Sequence, residues 1–208
     1  MDRNRFNLLR RGYLTTLAVL AVGLCSANAM AKPPATAKSN PKVTMVIEKR
    51  GSITIELFQK DAPKTVEHFL NLVNKKFYDG ILFHRFENNF VVQAGDPKSK
   101  TVDGSKIADI SSAAASEKYQ LGAGGSGSTV PLEAKQPHER GTLGLARSQA
   151  PDSGDSQFFF NLQDNHQLDE GYCVFGKITK GLDVMDKIKQ GDKITSVRLL
   201  VLTKPIKK

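Results

Sequence analysis

Phe83-His84-Arg85-Phe86-Glu87-Asn88-Asn89-Phe90-Val91-Val92-Gln93-Ala94-Gly95-Asp96-Pro97 is the stretch on which the reading of this chain turns. Apolar residues lie on both sides of a polar Glu-Asn-Asn turn, so the segment predicts two strands, Leu82 to Phe86 and Phe90 to Ala94, folded back on each other. That arrangement lets Arg85, Phe90 and Gln93 share one surface, with a cation, an aromatic ring and an amide side by side. Taken alone, the stretch allows two readings of Arg85. It either snorkels from an apolar face and pairs with Glu87 or Asp96, or it is held there for chemistry.

Working outward, Val43, Met45 and Ile47 alternate, Lys49-Arg50-Gly51 turns the chain, and Ile53, Ile55 and Leu57 alternate again, which predicts a hairpin. Asp61 is placed to cap a helix with Pro63 in its first turn, and Val66, Phe69, Leu70 and Val73 fall at helical spacing. His68 stands off that apolar stripe and is expected on the exposed face. Further strands are expected at Gly141 to Ala146, Gln157 to Leu162, Tyr172 to Ile178 and Ile194 to Leu202, and a second helix from Leu182 to Lys189. Strands this closely spaced leave no room for crossover helices, so the fold class is mainly β: an eight-stranded antiparallel barrel capped by two α-helices.

Residues 98–130 dissolve into Gly, Ser, Ala and Lys and are expected to form a long loop. Its fragment GAGGSGST, residues 122–129, has the composition of a phosphate cradle, but no strand precedes it and no Gly-Lys-Ser/Thr ends it. Residues 141–162, GTLGLARSQAPDSGDSQFFFNL, lead through a polar turn to three consecutive phenylalanines, of which Phe159 must face away from Phe158 and Phe160. One side joins a core, and the other is free to line a pocket.

The ends read differently. Residues 1–31 run from Arg3, Arg5, Arg10 and Arg11 into an apolar stretch from Leu14 to Leu24 and then into small residues, the pattern of a signal peptide. Cleavage after Ala31 leaves Lys32 first, and cleavage after Ala29 fits nearly as well. The apolar run falls short of the roughly 20 residues a membrane span needs, so no stable membrane insertion is expected after cleavage. Arg10-Arg11 also fits a twin-arginine signal, with general secretion favoured. A periplasmic location follows, with secretion beyond the cell left open. Residues 32–42 are a flexible lead-in, 43–204 the folded domain and 205–208 a basic tail. Cys173 is the one cysteine beyond the leader, so no disulfide is expected within the mature chain, and its apolar neighbours predict a buried, inert thiol.

The net charge of +9 is spread along the chain without interleaved aromatics, which argues against a nucleic-acid partner. His68, His84, His138 and His166 lack metal-ligand spacing, and no cofactor motif is present, so neither metal nor cofactor is expected.

Together, the phenylalanine-histidine-arginine strand, the glutamine and glycine-aspartate after it, the Ser156-Gln157-Phe158-Phe159 strand and the late Val174-Phe175-Gly176-Lys177 closely resemble the cyclophilin family of peptidyl-prolyl cis-trans isomerases. The resemblance covers roughly Val43 to Leu202. It implies a barrel with a helix over each end and an active groove on the outside. It places the family's catalytic set on Arg85, Phe90, Gln93 and Phe159, and its substrate-binding set on Val91, Ala146, Arg147, Gln157, Gln167, Leu168 and Tyr172. It implies a monomer assisting the folding of proline-containing, unfolded or partly folded exported polypeptides. Val91 stands in place of the usual methionine, and Tyr172 in place of a histidine common in eukaryotic members. Arg147, often asparagine in those members, is expected to add a donor to a substrate carbonyl. Gln167 replaces the tryptophan that marks cyclosporin-sensitive members, so cyclosporin binding is expected to be weak. The rival reading on the same barrel is a non-catalytic module, or chaperone, that grips proline segments.

Overall fold

The strands follow from alternation. In the computed structural model, which describes residues 39–200, β1 (Lys42–Ile47) buries Val43, Met45 and Ile47, and β2 (Gly51–Leu57) buries Ile53, Ile55 and Leu57. The hairpin register pairs Val43 with Ile55 and Met45 with Ile53, so both apolar sets face one interior. The turn between them holds Lys49 at φ 60° and Gly51 at φ 124°, the second a conformation that only glycine adopts without strain.

Six further strands complete an antiparallel sheet: β3 (Arg85–Glu87), β4 (Val91–Ala94), β5 (Thr142–Leu145), β6 (Phe158–Asn161), β7 (Cys173–Lys180) and β8 (Ile194–Leu199). Their spatial order is β3-β4-β6-β5-β7-β2-β1-β8. The sheet curls until its ends meet. Gly80 and Phe83 donate to Ile194 and Asp192 carbonyls, both at 2.8 Å, while Gly191 and Ile194 donate back to Phe83 and Ile81, also at 2.8 Å. Inside lie Phe158 and Phe160, with Phe69, Tyr78 and Phe175 packed against Phe158 or one another at centroid distances of 5.0–6.0 Å. Truncating any one of these rings to alanine removes about 3–5 kcal/mol of stability.

Helix α1 (Pro63–Asn74) turns Val66, Phe69, Leu72 and Val73 onto the barrel, while Leu70 is only partly buried. Its N-terminus is not capped by Asp61, as the local sequence suggests. Glu133 does this from 68 residues away: its Oε2 accepts from Thr65 N and from Thr65 Oγ1, both at 2.9 Å. Asp61 accepts from Gln136 instead. The second expected helix shrinks to one turn, α4 (Leu182–Met185), led by Gly181 at φ 86°.

Residues 98–130 are not a plain loop. They hold a 3₁₀ turn (Pro97–Thr101), α2 (Ser105–Ala108) and α3 (Ser112–Tyr119), the last capped by Ser111, whose Oγ accepts from Ala114 N at 3.2 Å. The run Ser-Ala-Ala-Ala-Ser-Glu-Lys is rich in helix formers, and Ile107, Ala115 and Leu121 bury themselves with Leu82 in a small second core. The rest of the segment is tied down by Asp96, which is buried and accepts from Lys98 N at 2.8 Å, Gly122 N at 2.6 Å and Gly124 N at 3.1 Å.

Cys173 is buried beside Thr65, 3.6 Å from its hydroxyl, and burial pushes its thiol up to about 11. It is unreactive at neutral pH. The signal-peptide, lead-in and basic-tail readings lie at the ends, almost wholly outside the described residues. Among those residues no helix is long and apolar enough to cross a membrane, and no group of three or more His, Cys, Asp or Glu is placed to hold a metal ion.

Candidate active site

Strand pairing assembles the site. Arg85 on β3 is registered with Gln93 on β4, Gln93 with Phe159 on β6, and Phe159 with Gly144 on β5. These four residues form one row across the sheet. Because Phe158 and Phe160 point into the barrel, the row faces outward. Arg85 Nη1 donates to Gln93 Oε1 at 3.4 Å, and its Nε lies 3.5 Å from Glu87 Oε1. The Glu87 pair sits at roughly half exposure, 42% and 45% for the two side chains, where such pairs contribute about 0–1 kcal/mol. The guanidinium is therefore loosely held and open to a better acceptor.

A cavity of about 250 Å³ opens on this row, lined by Arg85, Phe90, Val91, Gln93, Ala146, Arg147, Phe159, Leu168 and Tyr172. Nine of the eleven residues singled out from the sequence thus share one hollow. Its apolar walls are Phe90, Val91, Phe159 and Leu168, while Arg85 and Gln93 supply the polar edge. Phe159 is only 4% exposed, yet faces the cavity from below.

Two residues fall elsewhere. Gln157 lines a neighbouring, larger hollow of about 560 Å³ and bridges the two: its Oε1 accepts from Gln93 Nε2 at 2.9 Å, and its Nε2 donates to Gly122 O at 3.0 Å and Gly124 O at 2.7 Å. Gln167 is exposed on a short 3₁₀ turn and contributes to neither hollow. Nor is Arg147 aimed at a substrate carbonyl. Its Nε donates to Gly171 O at 2.6 Å, its Nη1 to Ser148 O at 2.8 Å and Gln149 O at 3.2 Å, and its guanidinium lies 4.7 Å over the Tyr172 ring. It braces the rim rather than reaching out, because three backbone carbonyls of the adjoining turns need donors.

The larger hollow has no counterpart in the sequence reading. Its wall is the glycine-rich segment, held by Asp155, which accepts from Ser126 Oγ and from Gly127 N at 3.0 Å. His68 joins the same carboxylate at 3.3 Å and is largely buried, not exposed. The one signal was the run of glycines. Gly124 and Gly125 crowd Asp96 and Asp155 so closely that a side chain at either position would displace a carboxylate.

Comparison with known proteins agrees with this geometry. Residues 42–204 match the family model "Cyclophilin type peptidyl-prolyl cis-trans isomerase/CLD". A peptidyl-prolyl cis-trans isomerase of Helicobacter pylori is 41% identical over 153 residues, covering 71% of this chain and 80% of that one. One of Acinetobacter baylyi is 36% identical over 181 residues, covering 84% and 82%. The crystal structure of a Cryptosporidium parvum cyclophilin type isomerase superposes with a TM-score of 0.64 at 22% identity, covering 79% of this chain and 99% of that one. A second structure of it, in the presence of the dipeptide Ala-Pro, gives 0.63. With strands, groove and relatives in accord, the chain belongs to the cyclophilin-type peptidyl-prolyl cis-trans isomerases.

Proposed function

We propose that this isomerase turns X-Pro bonds in exported polypeptides and so assists their folding, with Arg85 as the catalytic donor. The single observation that carries the reading is the outward row Arg85, Gln93, Phe159, which sets a loosely held guanidinium beside a cavity of about 250 Å³ with apolar walls.

Resonance gives the peptide C–N bond a rotation barrier of about 18–20 kcal/mol, and X-Pro bonds take tens to hundreds of seconds to turn over unaided. No proton need move between groups and no bond need break. As the bond twists, the proline nitrogen becomes pyramidal and regains a lone pair. The Arg85 guanidinium donates a hydrogen bond to that lone pair, which the planar ground state offers poorly, so the interaction strengthens in the transition state. Phe90, Val91, Phe159 and Leu168 grip the pyrrolidine ring. Gln93, fixed by Gln157, holds the acyl side. A gain of about 5–8 kcal/mol brings the step to milliseconds or faster. The Ala-Pro dipeptide in the presence of which the Cryptosporidium relative was solved supports a proline-containing ligand for this groove.

Export rests on the basic, apolar and small-residue order of residues 1–31, and on this reading the protein acts in the periplasm.

The test is cis–trans exchange of a proline tetrapeptide followed by NMR. Wild type accelerates exchange, and Arg85→Ala loses most of that rate while its circular dichroism is unchanged. A fully active Arg85→Ala overturns the mechanism, and an inactive wild type that still binds the peptide supports the non-catalytic module. Cell fractionation that finds the protein in the cytoplasm overturns export.

A further inference from the structure

The proline pocket stands on a buried polar relay that its own residues do not explain. His138 is fully buried, and its ring stacks on Phe159 at 5.6 Å with an interplanar angle of 13°. It meets Tyr172 edge to face at 6.4 Å. One imidazole thus touches both the floor of the pocket and part of its rim.

Its hydrogen bonds have one consistent direction. Asn165 Nδ2 donates to Phe90 O at 3.0 Å and to Asn161 Oδ1 at 2.8 Å, which fixes the Asn161 amide with its nitrogen on the far side. That Asn161 Nδ2 donates to Thr142 Oγ1 at 2.9 Å, and Thr142 cannot reverse the bond because its hydroxyl proton goes to Glu139 O at 2.7 Å. The second Asn161 Nδ2 proton points at His138 Nδ1, 3.0 Å away. A donor facing Nδ1 requires an unprotonated nitrogen there. The ring proton must then sit on Nε2, which faces Tyr172 O at 3.2 Å and donates to it. The relay therefore runs from the Phe90 carbonyl on one wall to the Tyr172 carbonyl on the other, and it closes only around a neutral imidazole.

We propose that His138 is a positioning residue of the isomerase reaction, holding Phe159 and Tyr172 in place as the neutral Nε2–H tautomer. This rests on the isomerase reading and adds a regulation to it. Protonation puts an N–H on Nδ1 against the Asn161 N–H, and Asn161 cannot turn its oxygen round without breaking its bonds to Asn165 and Thr142. The pocket floor then loses its support.

Burial holds the His138 imidazole below its ordinary range, outweighing the Tyr172 carbonyl and the Asp169 carboxylate, which favour the charged form. Asp169 takes the backbone N–H of His138 at 2.6 Å and pairs with His166 at 3.0 Å, and His166 disfavours a second charge. Neutral His138 is thus the form present at neutral pH, and activity falls as pH drops below the usual imidazole range near about 6.5.

The experiment uses ¹⁵N-histidine-labelled protein and NMR exchange of a proline tetrapeptide from about pH 4 to about pH 8. A long-range ¹H–¹⁵N spectrum at neutral pH shows His138 protonated at Nε2 alone, and the titration of its ring coincides with the acid limb of kcat/KM. His138→Gln, which keeps a donor near Tyr172 O but not the stacked ring, lowers kcat/KM roughly tenfold or more and removes that limb. An Nδ1–H tautomer, a ring titration displaced from the limb, or a variant that keeps wild-type activity or the limb overturns the proposal. The spectrum and the titration need no variant, so a misfolded His138→Gln leaves the question decidable. A wild type active but flat with pH overturns this inference alone. A wild type with no catalysed exchange overturns the isomerase reading and this one with it.

Discussion

Gly144 lies directly beneath the ring of Phe159: a Cβ built on it would meet Cε2 at 2.7 Å and Cε1 at 3.0 Å. The two are registered across β5 and β6, so the absent side chain on one strand makes room for the ring on the other. The depth of the pocket is set by a missing methyl group.

Gly144→Ala is therefore expected to push Phe159 up into the cavity. Backbone φ at this position is not in the left-handed region, so the strain is steric, about 1–3 kcal/mol as for overpacking elsewhere. Peptide exchange should show kcat/KM reduced by roughly ten- to a hundredfold with KM rising. Unchanged kinetics would mean that the ring has another place to go.

Stability should depend on His84. It is 4% exposed, and burial lowers its imidazole to about 4, with Arg85 adding to the shift and Asp96 opposing it. The unfolded chain takes up a proton near about pH 6.5, whereas the folded one resists until about 4. Between those values the unfolded state binds more protons, so stability falls with falling pH, by about 3 kcal/mol for this residue. Urea melts of wild type and His84→Phe at the two ends of the window measure it; equal pH slopes in both proteins would discount His84.

Removing the remote cap should loosen α1. Glu133→Ala strips Thr65 of two hydrogen bonds and Lys64 N of a third, at 3.3 Å. A loss of about 1–2 kcal/mol is expected, read as a lower urea midpoint with an unchanged m-value. Asp61→Ala, which leaves the Glu133 cap in place, should cost less.

Cyclosporin sensitivity should be low and recoverable. Gln167 is exposed and outside the cavity, where it offers no aromatic surface to an apolar cyclic peptide. Gln167→Trp is expected to tighten inhibition by at least tenfold, the equivalent of about 1.4 kcal/mol from one added aromatic contact. Inhibition curves in the exchange assay decide it.

Much of this protein is legible in its sequence because the signals are local. Alternation in Val43-Met45-Ile47 and Ile53-Ile55-Leu57 needs only neighbours two residues apart, and the same period of two sends Phe159 outward while Phe158 and Phe160 fill the core. The segment carrying Arg85, Phe90 and Gln93 marked the groove, and nine named residues do line one cavity. What stayed hidden depends on groups distant along the chain. Glu133 caps a helix that begins 70 residues earlier, at Pro63, Asp155 meets His68 across 87 positions, and the helices of residues 98–130 hold because Leu82 completes their small core. Arg147 turns to the carbonyls of Gly171, Ser148 and Gln149, and His138 becomes a support for Phe159, only once β5, β6 and the 166–172 turn lie side by side. Residue type and spacing settle which face of a strand a side chain takes. Which partner satisfies a buried polar atom is settled by the folded chain, because a lone hydrogen-bonding group leaves no periodicity to read.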